Sequence, residues 1–235
     1  MTAGQTTAII PARGGSKGIP HKNIAPLYGK PMLAWSIAEA KKSDLIDRVI
    51  VSTDSDEIAL AAKAYGAEVI MRPEEISSDF ATSESVLLHA LYTMQEHGEE
   101  LPELTVFLHC STPLTLAQDI DGTVRALKNA DADTALAVVP FYGYFWKTDD
   151  VTGEAIPDGH VKGERRRRQE REPKYLEAGA VYVMKTDGFM QNKKRLFGQT
   201  VMYEMPAERY YDIDTPTDLL VAGVLMAEQV KNGQR

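Results

Sequence analysis

The stretch Ala8-Ile-Ile-Pro-Ala-Arg-Gly-Gly-Ser-Lys-Gly-Ile-Pro-His-Lys-Asn23 decides the fold. A short apolar run breaks into a glycine-rich, basic loop, the pattern of a strand that delivers a phosphate-binding loop. Gly14, Gly15 and Gly18 let backbone N–H groups approach a ligand closely, while Arg13, Lys17, Lys22 and the Asn23 amide add charge and donors. Taken alone, such a loop suits an ordinary tight turn equally well. Arg13 and Lys17 stand at a spacing close to G-x-x-x-x-G-K-[ST] without matching it, which argues for phosphate contact without the usual ATPase geometry.

Outward from this loop the chain alternates. Pro31 to Lys41 has helical apolar spacing with proline in the first turn. Arg48 to Asp54 is a β-branched strand, Ser55 to Tyr65 an alanine-rich helix ending at Gly66, and Ala67 to Met71 a third strand. The irregular stretch Arg72 to Ser83 suits a binding loop, with Ser83 expected to cap a helix running to about Glu96. Leu104 to His109 reads as strand, Asp119 to Asn129 as helix and Thr134 to Pro140 as strand. The first 140 residues therefore predict an α/β fold with a mainly parallel sheet, with ligands bound at the strand C-termini. The alternation fails over 141–175, an insertion holding an aromatic cluster and the run Arg165 to Arg168. Gly179 to Met184 and Phe197 to Met205 restore strands, and Thr217 to Val230 closes with a helix.

At 235 residues and 43% hydrophobic content the chain suits one globular domain. A net charge of −8 argues against nonspecific nucleic-acid binding. The single cysteine, Cys110, excludes an internal disulfide framework and reads as a small buried hydrophobe. No run approaches a membrane span and no secretory signal is evident, so a cytoplasmic protein is expected.

Asp212-Ile-Asp214 places two carboxylates on one face of an extended segment, where they could hold Mg²⁺; solvent-facing acids or a helix start explain the same residues. From Lys162 to Lys174 seven cations and three glutamates give a net +4, which suits a solvated loop or one arginine reaching an anionic substrate. His21, His89, His97 and His160 show no metal spacing. His109, at a strand end beside Ser111 and Thr112, could contact substrate or simply pack.

The combination of Ile9 to Asn23, Val49 to Asp54, Arg72-Pro73, Ser111 to Leu114 and Asp212 to Thr215 resembles the acylneuraminate cytidylyltransferases over nearly the whole chain. The resemblance implies a Rossmann-like three-layer nucleotidyltransferase fold over 1–235, with 141–175 as a dimerisation arm reaching a partner's site. It implies an enzyme that joins CTP to a 2-keto-3-deoxy sugar acid, giving a CMP-sugar and pyrophosphate, as a Mg²⁺-dependent homodimer. By the same implication Arg13, Lys17, Asp212 and Asp214 are catalytic, with the two aspartates carrying the metal. Ala12, Gly14, Ser16, Asn23, Arg72, Ala81 and Ser83 would bind the nucleotide, and His109, Ser111, Thr112, Lys147, Arg168 and Ala178 the anionic acceptor.

The departures fall on the sugar side. Where sialic acid enzymes read Gln-Pro-Thr-Ser-Pro-Leu-Arg, this chain reads His109-Cys-Ser-Thr-Pro-Leu-Thr115; where they read Arg-Pro-Asn-Gly-Ala, it reads Leu176-Glu-Ala-Gly-Ala180. The expected acceptor is therefore a related nonulosonate or another carboxylated or phosphonylated acid rather than N-acetylneuraminate itself. A sugar-1-phosphate nucleotidyltransferase, or a nucleotide sensor without turnover, remains the rival reading.

Overall fold

The computed structural model describes residues 5–78 and 80–235; Asp79, inside the irregular stretch expected over 72–83, lies outside the described residues. In chain order the strands are β1 (Thr6–Pro11), β2 (Pro26–Leu27), β3 (Lys30–Pro31), β4 (Arg48–Thr53), β5 (Glu68–Met71), β6 (Leu104–Leu108), β7 (Thr134–Phe141), β8 (Phe145–Thr148), β9 (Ala155–Asp158), β10 (Lys174–Lys185) and β11 (Thr200–Glu204). The helices are α1 (Met32–Lys42), α2 (Asp56–Ala64), α3 (Ser83–Glu96), α4 (Ala117–Ala130), α5 (Thr186–Asn192) and α6 (Pro216–Lys231).

Seven strands form one sheet in the order β11-β7-β10-β6-β1-β4-β5. Only β10 runs against its neighbours, pairing antiparallel with β6 and β7, while β1 pairs parallel with both β4 and β6. The central strands are apolar on both faces, as a sheet covered on both sides requires. Ala8 and Ile10 of β1 pack into the cluster containing Leu33 of α1, Ile58 of α2, Val124 of α4 and Met226 of α6. Ile9 packs into the other, with Leu87 and Leu91 of α3 and Phe189 of α5. The result is a three-layer α/β architecture, as the resemblance implies, built on the mainly parallel sheet expected from the alternation.

The chain leaves β1 for β4 on one side and later crosses to β6 on the other. Strand order thus reverses beside β1, and ligands of open α/β sheets bind in the crevice beyond the strand C-termini at such a point. The loops following β1 and β6 open there.

Several expectations shift. Pro31 precedes the first helical residue as its N-cap. Thr82, not Ser83, caps α3, its Oγ1 accepting the Ser85 N–H at 3.2 Å; Ser83 is already helical. The strand expected over 179–184 is twelve residues long. It carries a register shift between Glu177 and Tyr182, around Gly179, whose φ of +66° favours glycine. α5 has no counterpart among the expected elements.

Within 141–175, β8 and β9 form a separate two-stranded sheet. Phe141 and Phe145 stack at 4.8 Å, Arg168 lies 3.7 Å over the Tyr142 ring, and Arg165 and Arg171 lie over Tyr144, each at 4.5 Å. Arg165 and Arg168 of the basic run thus lie on aromatic faces in cation–π contact, within a stretch that is exposed throughout, as a solvated loop is. Among the described residues no helix is long and apolar enough to cross a membrane.

Candidate active site

A cleft of about 390 Å³ opens at the switch point. Its walls include Arg13, Ser16, Lys17 and Asn23 from the glycine loop, Arg72, Ala81 and Ser83 from the region after β5, His109 and Ser111 after β6, and Asp214 before α6. Residues spread over two hundred positions of sequence thus meet because four loops leave the same edge of one sheet.

The glycine loop is fixed from several directions. Asn23 Nδ2 donates to the Arg13 carbonyl at 2.9 Å, so its amide braces the loop it belongs to. The Gly14 N–H donates to Asp54 Oδ1 at 2.9 Å, and the same oxygen lies 3.7 Å from Arg72 Nη2. Arg72 Nε also donates to Ser77 Oγ at 3.2 Å. Burial lowers the Arg72 pKa from its ordinary value, with Asp54 opposing that shift. Asp54 therefore ties the glycine loop to the buried guanidinium across the cleft. Ala12 is fully buried in the core below the loop.

On the other side the loop touches the aspartate segment. Lys22 Nζ donates to the Ile213 carbonyl at 2.8 Å and to Asp214 Oδ1 at 3.0 Å. A Cβ on Gly18 would come within 2.1 Å of the Asp214 carbonyl oxygen, so glycine is required by close approach of two backbones. Ile213 is fully buried and its neighbours Asp212 and Asp214 are exposed, the alternation expected of an extended segment. A capping box follows: Asp218 Oδ2 accepts the Thr215 N–H at 2.7 Å and Thr215 Oγ1 accepts the Asp218 N–H at 3.3 Å. The Thr215 hydroxyl and N–H and the Asp214 N–H hold the Asp218 carboxyl below the usual carboxylate range.

Asp212 does not line the cleft. Ser111 Oγ donates a short hydrogen bond to its Oδ1 and lies 2.9 Å from His109 Nδ1. Burial pushes the His109 pKa below the ordinary imidazole value, with Asp212 working against that. Thr112 is buried and donates to the His109 carbonyl at 3.0 Å. Cys110 is buried beside them, its thiol pushed up to about 12 by burial, which suits packing and not nucleophilic chemistry. Ala178 is buried at the β10 bulge, outside the cleft wall.

Lys147 and Arg168 stay in the insertion, away from the cleft of their own chain. Lys147 Nζ lies 3.7 Å from Asp158 Oδ1, and Arg168 stacks on Tyr142. Sequence reasoning passed over Asp54 as a brace, the Ser77 partner of Arg72, and Arg195. Arg195 Nε donates to Glu84 Oε1 at 2.6 Å, and its guanidinium covers Phe107 and Tyr182 at 5.2 and 5.0 Å. Asp54 ends a strand already marked as site-forming, which is a readable signal; Arg195 sits in an unremarkable charged run.

Of the two aspartates expected to carry Mg²⁺, only Asp214 lines the cleft. Among the described residues no group of three or more His, Cys, Asp or Glu converges as a metal cage. Mg²⁺ needs only one or two carboxylates when waters and phosphate oxygens complete its shell. Asp212 and Asp214 offer such hard oxygen donors.

A glycine loop with basic side chains opens at the switch point of a three-layer α/β sheet, an arrangement suited to a phosphate-bearing ligand. The solved structure of CMP:2-keto-3-deoxy-manno-octonic acid synthetase complexed with CTP shares the fold, with a TM-score of 0.70 at 17% identity over 96% of this chain and 99% of that one. The family model described as Cytidylyltransferase matches residues 7–230, and the chain belongs to that family. N-acylneuraminate cytidylyltransferase A of Danio rerio is 33% identical over 92% of this chain and 49% of its own length. Post-translational flagellin modification protein B of Campylobacter coli is 30% identical over 94% of both chains. The chain thus spans about half the length of the acylneuraminate enzyme, and nearly all of the flagellin-modification protein.

Proposed function

We propose that the protein transfers the cytidylyl group of CTP to a carboxylated sugar acid of the 2-keto-3-deoxy class. The observation that carries this reading is the single cleft in which the glycine loop, buried Arg72 and Asp214 meet. Such a reaction needs positioning and neutralisation of phosphate charge rather than a covalent enzyme group. A hydroxyl oxygen of the acid bonds to the α-phosphorus, the bond from that phosphorus to the pyrophosphate oxygen breaks, and one proton is released.

In this scheme Arg13, Lys17 and the loop N–H groups hold the triphosphate, with Ser16 and Gly14 shaping the loop. Arg72, Ala81 and Ser83 flank the nucleotide at the opposite wall. Asp212 and Asp214 would hold Mg²⁺, which when bound supplies neutralisation of phosphate charge and orientation of the leaving group. Lys22, by gripping Asp214 and the Ile213 carbonyl, sets where those carboxylates stand.

The acceptor is a relative of N-acetylneuraminate rather than that acid itself. His109, Thr115, Leu176 and Ala178 supply neither the amides nor the arginines of the sialic acid pattern, and Ala178, buried outside the cleft wall, has no polar group to offer. A homodimer of the insertion is supported by Phe145, Trp146 and Tyr175, which are exposed on it; Lys147 and Arg168 would then serve a partner's site. A cytoplasmic location is supported by the single, buried, unpaired cysteine.

Pyrophosphate release measured with Mg²⁺, each of CTP, UTP and GTP, and a panel of nonulosonic and octulosonic acids tests the reading. Turnover confined to CTP is expected, with N-acetylneuraminate a poor acceptor. Turnover with UTP or GTP and a sugar phosphate, but none with CTP, would overturn it.

A further inference from the structure

The His109 ring is held on two sides at the cleft wall. Phe107 meets it edge-on, with centroids 5.7 Å apart at 75°, and Ser111 Oγ lies 2.9 Å from Nδ1. Its backbone is pinned as well, the N–H donating to the Ala180 carbonyl at 3.0 Å.

The protons in this chain can be counted. A serine hydroxyl has one hydrogen to give, and an ionised carboxylate can only accept. Ser111 gives its hydrogen to Asp212 Oδ1, so towards His109 it can only accept, and Nδ1 must carry the ring hydrogen. Burial favours the neutral ring. A neutral imidazole protonated at Nδ1 has a bare Nε2, an acceptor with nothing to donate. Nε2 has no protein partner among the described residues, yet it is not among the sealed, unpartnered polar atoms, and the ring lines the cleft.

We propose that Ser111 and Asp212 fix His109 in the Nδ1–H tautomer, so that Nε2 meets the acceptor acid as a hydrogen-bond acceptor and makes His109 a determinant of acceptor choice. This rests on the acid-activating reading above and names the chemistry of that acid at one point. The group facing His109 is an O–H or N–H donor. An amide side chain in the same place would take either polarity by turning over; His109 refuses an ether, keto or carboxylate oxygen there, because two lone pairs would face each other in a buried site. Ser111 acts through the ring and is a positioning residue.

Long-range ¹H–¹⁵N correlation on histidine-labelled protein reads the tautomer directly, with His109→Gln identifying the signals. The expected wild-type spectrum shows Nδ1 protonated and Nε2 bare; Ser111→Ala mixes the two tautomers and Ser111→Thr restores the first. In kinetics, Ser111→Ala is expected to raise the KM for the acceptor about tenfold, by more than it changes the KM for CTP, and Ser111→Thr to reverse most of that. A wild-type ring protonated at Nε2 overturns the proposal, as does a correct tautomer with acceptor KM unmoved in both Ser111→Ala and His109→Gln. Absence of pyrophosphate from every acceptor with the Nδ1–H tautomer intact would instead count against the cytidylyl reading and against His109 as its determinant, leaving the lock standing.

Discussion

Gly18→Ala tests whether the glycine loop and the aspartate segment truly share one position. The added Cβ would stand 2.1 Å from the Asp214 carbonyl oxygen, where ordinary contact begins near 3.4 Å. Relief therefore requires the two backbones to part by about 1 Å, and neither can yield as a flexible side chain would. Overpacking of this kind costs about 1–3 kcal/mol, and in a domain of this size each kcal/mol lowers Tm by roughly 2–4 °C. The same displacement moves Asp214 relative to Lys17 and Arg13, and a misplacement of about 1 Å costs on the order of 100-fold in rate. The assay is pyrophosphate release at saturating CTP and acceptor, alongside thermal unfolding. Gly15→Ala is the control for stability, since nothing lies within 4 Å of its Cβ position; its Tm should not move. Wild-type rate and Tm for Gly18→Ala would refute the apposition of the two segments.

Three further outcomes follow from the same geometry. Asp54→Asn removes the charge that holds Arg72 and weakens the bond to the Gly14 N–H; the KM for CTP should rise roughly 10- to 100-fold, about 1–3 kcal/mol, and an unchanged KM for CTP would remove Asp54 from the site. Lys22→Met releases Ile213 and Asp214 together, so a Mg²⁺ titration of activity should shift its midpoint and kcat should fall at least about tenfold; a superimposable titration at full kcat would deny the grip any role. Cys110 has a thiol pushed up to about 12 from an ordinary value of 9.0 by burial. The unfolded thiol ionises first, so its contribution to stability is whole below pH 9 and is lost as pH rises towards 12. Cys110→Ala should flatten that alkaline decline, and in the folded wild type a thiol reagent at pH 8 should react only as fast as the chain opens.

Periodicity and turn chemistry carried most of the fold, because β1, β4 and β6 are apolar runs buried on both faces and separated by helix-length segments. They failed where stability is non-local. β10 begins at Lys174 in charged sequence, and what makes it a strand is the pairing of Lys174 with Phe141 and of Tyr175 with Pro140, far back in the chain. α5 is short and contains Gly188, whose missing Cβ leaves room for the Phe197 ring; no local signal announces that contact. Among the cleft residues, Arg13, Lys17, Asn23, His109 and Ser111 were legible from loop composition at strand ends and Asp214 from the spacing of two carboxylates, while Arg72 came from the resemblance. Asp54 was legible only as a strand terminus, since its task depends on reaching Gly14 forty positions away. Arg195 was invisible, because its partners Glu84, Phe107 and Tyr182 come from three separate elements.

The grip of Lys22 on Asp214 joins positions 192 residues apart. A ribosome adding about 5–20 residues per second needs on the order of 10–40 s to travel that distance. The emerging chain therefore displays a finished glycine loop long before the carboxylates that complete it exist. The early strands can pair during that interval, but the cleft cannot close until the segment carrying Asp214 has docked. Catalytic competence should consequently appear as a late, single step in refolding, after most helical signal has returned.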